Sequence, residues 1–226
     1  MVLKLYVDLL SQPARAVTLF VRKMNIPHEL KLVQIVKGEH KNPEYVENIH
    51  RFGKVPAIDD DGFKMIESIA ILKYLSRKYN VPDNWYPKDI KKQAKVDEFL
   101  EWQHISKRVP LSMYFINAFL KPKLTGNPPK EEKLKKFRIH MEEALDLVEN
   151  IWLKDTKYLT GDEISIADIV GISEIEQPRI VNYDVTVGRP KIAAWMKRVQ
   201  EDLKPHYEDV FKPLNKLAQI NAQSKL

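Results

Sequence analysis

Two domains of different class are expected from the sequence, an α/β domain followed by an all-helical domain, and three observations predict them. Strand-type apolar segments occur only before residue 67, at 2–7, 30–36, 55–58 and 63–66. From Asp89 onward every apolar stripe has helical spacing. Between them runs Asn80-Val81-Pro82-Asp83-Asn84-Trp85-Tyr86-Pro87, a proline- and turn-rich stretch that reads as a linker. The expected bounds are 1–79 for the first domain, 80–88 for the linker and 89–226 for the second domain.

The first strand is read over Val2 to Val7, with Leu3, Leu5 and Val7 on one face. A helix follows, with Val17, Phe20, Val21 and Met24 on its stripe. Pro13 suits its first turn and Ser11 a position at or just before the cap. Asn25-Ile26-Pro27 ends it, and Leu30 to Val36 is a second strand, parallel to the first if the crossover is right-handed. Lys37-Gly38-Glu39-His40 turns out of that strand, and a short helix is expected around Tyr45.

The next stretch organises the domain. Val55 to Ile58 and Phe63 to Ile66 read as paired strands, with Asp59-Asp60-Asp61-Gly62 as a tight turn and Gly62 supplying the positive φ. Pro56 sits where a central strand would donate a ladder hydrogen bond, which proline cannot do. A cis Val55–Pro56 bond is therefore a candidate, one that would leave the Val55 N–H and C=O free to pair with an extended peptide. Glu67-Ser68 opens a helix carrying Ile69, Ile71, Leu72 and Leu75. Helix starts offer unpaired N–H groups and a positive dipole end, which suit a carboxylate. The order is βαβ, then a β-hairpin, then α.

In the helical part, Val96, Phe99, Leu100 and Gln103 share one stripe, and Pro110 is expected to kink or end that helix. Gly126-Asn127-Pro128-Pro129 separates it from a second stripe of Leu134, Phe137, Met141, Leu145, Val148 and Trp152. Ser165 and Asp168 form a capping box, with Ile164 placed to staple onto Ile169. A further helix begins at Pro190 and buries Ile192, Trp195, Met196 and Val199. Residues 205–226 carry a weaker stripe of Val210, Leu214 and Leu217, with fraying expected.

Composition narrows the chemistry. The 226 residues are 44% hydrophobic and contain no cysteine, which removes disulfides, thiolate metal sites and cysteine nucleophiles. No apolar run reaches the ~20 residues of a membrane span, and Met1-Val2-Leu3-Lys4 does not read as a signal peptide, so a cytoplasmic protein without membrane partner is expected. The net charge of +6 is spread through mixed stretches such as Lys130 to Arg138, which argues against nucleic-acid binding. His40, His50 and His104 lack ligand spacing, so no metal is expected. Trp85, Trp102, Trp152 and Trp195 read as core or domain-interface aromatics.

Lys54-Val55-Pro56 with Glu67-Ser68 resembles the glutathione-binding half of the cytosolic glutathione transferases, a thioredoxin-like domain. The opening Leu5 to Ala16, with Leu-Ser-Gln-Pro-Ala-Arg-Ala after strand one, is similar to the theta class. The likeness continues through His40, Arg77-Lys78-Tyr79, Trp85-Tyr86-Pro87 and Trp102-Gln103-His104. It departs at His50-Arg51, where the class has Asn-Pro, and beyond residue 210, where the chain is short for a C-terminal lid. The resemblance implies a catalytic Ser11 that activates the glutathione thiol and an Arg108 reaching the site from the helical domain. It assigns glutathione contacts to His40, Lys54, Val55, Pro56, Glu67 and Ser68, and an electrophile pocket to Leu9, Leu10 and Arg108. The Ser165–Asp168 box is structural in that family.

Read from the residues alone, Ser11 is a helix cap, a nucleophile or a hydroxyl that stabilises a thiolate. The second reading needs an adjacent base and lacks a G-x-S-x-G elbow. The third is helped by the helix dipole. Tyr6 is the competing activator, and Lys54 and Arg108 also read as surface cations. The expected function is conjugation of glutathione, as co-substrate without further cofactor, to alkyl or aryl halides or epoxides, with hydroperoxide reduction as another activity. A homodimer is implied. The alternative is a non-catalytic module that carries ligands or docks partners.

Overall fold

The computed structural model describes residues 2–223. Met1 and residues 224–226, which fall within the expected first and second domains, lie outside the described residues. β1 (Leu3–Val7), α1 (Gln12–Lys23), β2 (His28–Leu32), α2 (Pro43–Asn48), β3 (Ala57–Asp60), β4 (Phe63–Ile66) and α3 (Ser68–Lys78) form the first part of the chain. The sheet order is β2-β1-β3-β4, with β1 parallel to β2 and antiparallel to β3. Leu3, Leu5 and Val7 are buried on the face that carries α1 and α3. Tyr6 points the other way and meets the edge of Tyr45 from α2, ring centroids 6.2 Å apart. This is the expected βαβ, hairpin and helix, and the thioredoxin-like domain is borne out.

Two strand readings shift. β2 covers only His28–Leu32, because the apolar run Val33 to Val36 leaves the sheet and curls into a 3₁₀ turn, Ile35–Lys37, followed by another, Glu39–Lys41. β3 starts at Ala57, two residues later than read, so Val55 and Pro56 precede the strand and Pro56 breaks no ladder bond. The Val55–Pro56 bond is cis, as anticipated. The hairpin turns on Asp61 (φ 56°) and Gly62 (φ 86°), a pair of left-handed residues that matches the strand twist. The Asp59 carboxylate accepts the Gly62 N–H at 2.8 Å.

The second part is wholly helical. α4 (Ile90–Gln103) does not end at Pro110. The chain stays helical to Thr125 through a wide π turn at His104–Arg108, α5 (Val109–Phe115), a second π turn at Ile116–Leu120 and α6 (Lys121–Thr125). Each of these two π turns ends two residues before a proline, Pro110 or Pro122, whereas a third, Val148–Trp152, is not followed by one. Proline removes one intrahelical N–H and crowds the preceding turn, and widening that turn accommodates it without a break. α7 (Glu131–Leu147) presents the expected stripe, and α8 (Ile166–Ile175) is buried along its whole length. α9 (Pro190–Asp202) buries Ile192, Trp195, Met196 and Val199 as read. α10 (His206–Gln223) is a continuous helix that buries Tyr207, Val210, Phe211 and Leu214, so the stretch read as partly frayed is helical up to Gln223, and its last residues, 224–226, lie outside the described residues.

The halves meet where α1 packs on α8 and α10. Trp85 of the linker stands edge-on to Phe20 at 6.2 Å, while Phe99, Trp102 and Trp152 form an aromatic cluster inside the helical part. The capping box is present, and Asp168 does more than cap. Its carboxylate accepts the Ser165 N–H at 2.9 Å, the Leu159 N–H at 2.9 Å and the Trp195 indole N–H at 2.8 Å.

Candidate active site

A cavity of about 590 Å³ opens between the two halves. Its floor on the sheet side is Asp8, Leu10, Ser11 and Gln12, and its helical wall includes Arg108, Val109, Met113, Ile116 and Phe119. The lining is mostly apolar with a few convergent polar groups, the make-up expected of a small-molecule site. Arg108 closes the first π turn, and Ile116, Phe119 and Leu120 come from the second, so the widened turns face the cavity.

Ser11 is the N-cap residue of α1 by position, yet its hydroxyl makes no capping bond. Its backbone is fixed instead: its N–H donates to the Asp8 carbonyl at 2.9 Å and its carbonyl accepts from the Arg15 N–H at 3.0 Å. The plain-cap reading therefore leaves the hydroxyl unexplained. Asp8, which sequence reasoning missed, shapes the loop by accepting the Leu10 N–H and the Ile35 N–H, both at 2.9 Å. Both of its oxygens are thus used on backbone. Tyr6 is absent from the cavity lining, and burial raises its phenol pKa, which makes it a poorer source of phenolate. Leu10 and Arg108 line the cavity together, whereas Leu9 is half-buried against the hydrophobic core.

The other predicted residues gather at the start of β3 and α3. Val55 lies outside the sheet ladder, and no turn or loop hydrogen bond engages its N–H or C=O among the described residues. The Lys54 carbonyl accepts the Tyr45 hydroxyl at 2.8 Å while its side chain is exposed. Glu67 precedes α3 at φ 71°, ψ 106° with an exposed side chain. A non-glycine residue at positive φ costs on the order of 1–3 kcal/mol, a strain that clusters at ligand sites. Ser68 begins α3 and is buried. His40 is half-buried with an unpartnered Nδ1, and burial lowers its pKa, with Lys41 adding to this and Asp8 opposing it.

The departure at His50-Arg51 has a structural answer. His50 is buried, its Nδ1 meets the Phe52 N–H at 3.3 Å, and its carbonyl accepts the Gly53 N–H at 2.6 Å. A side chain on Gly53 would strike the His40 carbonyl, with Cβ only 2.7 Å away, so this loop holds His40 and Lys54 close in space.

Behind the cavity lies a buried ionic cluster that the sequence did not disclose. Arg15 and Lys107 are fully buried, as is Glu174 of α8. Burial lowers the Lys107 pKa to about 8, against the pull of Glu174. Burial pushes the Glu174 carboxyl up, opposed by Arg108, Lys107 and Arg15. Arg108 Nε stands 3.6 Å from Glu174 Oε1.

Comparison with known proteins shows the family. Residues 1–77 match the family model for the glutathione S-transferase N-terminal domain, and residues 107–202 match that for the C-terminal domain. Human glutathione S-transferase theta-1 is 41% identical over 198 residues, covering 88% of this chain and 82% of its own length. Human glutathione S-transferase theta-2B is also 41% identical, with 88% and 80% covered. Among solved structures, apo human glutathione-S-transferase T1-1 superposes with a TM-score of 0.92 at 38% identity, covering 96% of this chain and 91% of that one. Human glutathione transferase theta-2, in complex with glutathione and an unknown ligand, gives a TM-score of 0.92 at 37% identity, with 99% and 92% covered. The chain belongs to the glutathione S-transferase family, and its relatives place it with the theta class.

Proposed function

We propose that the chain conjugates the glutathione thiolate to small apolar electrophiles, alkyl or aryl halides and epoxides, and also reduces organic hydroperoxides. Glutathione is the co-substrate, as in the theta-class relatives, and no further cofactor is called for. Its cysteinyl backbone pairs with Val55 beside Pro56. Its γ-glutamyl end lies at Glu67 and Ser68, and His40 and Lys54 make further contacts to glutathione. Ser11 donates its hydroxyl to the thiolate, and the α1 dipole adds to that stabilisation. The electrophile lies between Leu10, Arg108 and the helical wall, with Leu9 supporting the loop from behind.

The observation that carries this reading is the Ser11 hydroxyl, without a capping bond, on the floor of an apolar cavity whose opposite wall holds Arg108. Retention on immobilised glutathione followed by a conjugation screen of halides, epoxides and hydroperoxides tests it. Retention with turnover of at least one class is expected. Retention without turnover of any would favour the non-catalytic carrier.

On this reading residues 1–79 are the glutathione half, 80–88 the linker and 89–226 the electrophile half. The protein acts as a two-fold homodimer, each first domain resting on its partner's helical domain. Phe52 and Phe63, 57% and 53% exposed, leave apolar surface on the first domain that such a contact would cover. Sedimentation equilibrium at micromolar protein should give twice the 26.5 kDa chain mass, and a clean monomer would contradict it. The cytoplasm, where glutathione keeps thiols reduced, is the compartment this chemistry fits. No helix of the described residues is long and apolar enough to cross a membrane.

A further inference from the structure

Lys107 and Arg108 are consecutive residues, and neighbours on an ordinary α-helix do not face the same partner. Here they end a π turn, and both act on the Glu174 carboxylate. Lys107 has no solvent exposure and its ammonium has no hydrogen-bond partner among the described residues; it lies 5.0 Å from the centre of the Phe99 ring. Glu174 Oε2 is also unpartnered among them, while Oε1 faces Arg108 Nε. Arg108 itself is 36% exposed along its side chain and lines the cavity. One cation is fully buried, and the other, at the carboxylate, lines the cavity.

We propose that Glu174 is a positioning residue for Arg108, holding the guanidinium by its Nε edge so that the terminal nitrogens serve the electrophile. No hydrogen bond within the chain engages those terminal nitrogens among the described residues. A buried carboxylate costs several kcal/mol unless it is matched by charge. Arg108 itself, with the charges of Lys107 and Arg15 beyond it, offsets that cost, so Arg108 is aimed by Glu174 without being its sole counter-charge. The charge left on Arg108 suits electrophiles whose leaving atom gains negative charge as the thiolate attacks: a halide, an epoxide oxygen or a hydroperoxide oxygen.

The inference rests on the reading of Arg108 given above, and the experiment separates the two. Steady-state kinetics with an alkyl halide or epoxide that the wild type turns over would be measured for Arg108→Ala, Glu174→Gln and the double variant, alongside binding of S-methylglutathione. Glu174→Gln should lower kcat by roughly 3- to 10-fold with S-methylglutathione affinity unchanged, and the double variant should be no slower than Arg108→Ala. If Arg108→Ala is impaired while Glu174→Gln is not, or if the two losses multiply, the positioning role is wrong and the Arg108 reading stands. If Arg108→Ala is as fast as wild type, both fail. Should Glu174→Gln not fold, Lys107→Met/Glu174→Gln removes both buried charges together and carries the same comparison.

Discussion

The buried Arg15 guanidinium donates to the Ser173 carbonyl at 2.8 Å, joining α1 to α8 across 158 residues of sequence. The same group donates to the Leu9 and Leu10 carbonyls at 3.0 and 3.2 Å and to Gln177 Oε1 at 2.5 Å. The loop that carries Ser11 is therefore fastened to the helix whose Glu174 faces Arg108. The separation of the Ser11 loop from Arg108 across the cavity is set along this one helix.

Arg15→Lys keeps the charge and loses the fork that spans these four acceptors. Leaving buried carbonyls unpaired costs about 1–3 kcal/mol each, so a loss of roughly 2–4 kcal/mol is expected after partial rearrangement. Thermal unfolding should come earlier and kcat should fall. Wild-type stability in this variant would show that the Arg15 contacts do not hold the two halves together.

Asp168→Ala removes more than a cap. Loss of the cap costs about 0.5–2 kcal/mol, and the Leu159 N–H and the Trp195 indole N–H also lose their acceptor, each at about 1–3 kcal/mol. A total near 3–5 kcal/mol should lower the unfolding midpoint by roughly 6–20 °C in a chain of this size. Calorimetry checks the shift, and surviving folded protein should still bind glutathione. Wild-type stability with lost turnover would instead give Asp168 a part in the chemistry.

Asp60 carries the pH dependence of the sheet. Burial works to raise its pKa, but hydrogen bonds from Lys78 and Tyr74, at 2.5 and 2.6 Å, outweigh it and hold the carboxyl below its ordinary value. A depressed folded pKa gives stability that is present above the unfolded value of ~3.9 and is lost as pH falls through the folded one. Asp60→Asn should therefore lower the midpoint at pH 7 and make progressively less difference below about pH 4. An equal deficit at pH 7 and pH 3 would contradict this assignment.

Turn and cap chemistry was legible because it is local: Asp61-Gly62 and Ser165 with Asp168 act within four residues. Val55-Pro56 misled the strand boundary because an apolar pair reads as strand whether or not it enters the ladder. Pro110 reads as a kink or a stop, since nothing in sequence shows that a helix can widen ahead of it. The buried ions were illegible for a different reason. Lys107 and Glu174 look like charges on solvated helical faces, and only the packing of the π turn against α8 buries them. Ser11 was readable from the residues after β1, whereas its meeting with Arg108 depends on the docking of the two halves.

Activation of the thiol by Ser11 is the central claim, and the pH dependence of Ser11→Ala tests it most directly. A free thiol of pKa ~8.5 is only about 3% thiolate at pH 7. A hydrogen bond to a charged group is worth roughly 1.5–3 kcal/mol, or about one to two pKa units. The thiolate fraction then rises to about 24–76%, and falling nucleophilicity trims the gain somewhat. Ser11→Ala should cost around tenfold in kcat at pH 7, with S-methylglutathione affinity little changed and the deficit shrinking toward pH 9, while Tyr6→Phe stays near wild type. A deficit constant from pH 7 to 9, or a fully active Ser11→Ala beside an inactive Tyr6→Phe, would contradict the account.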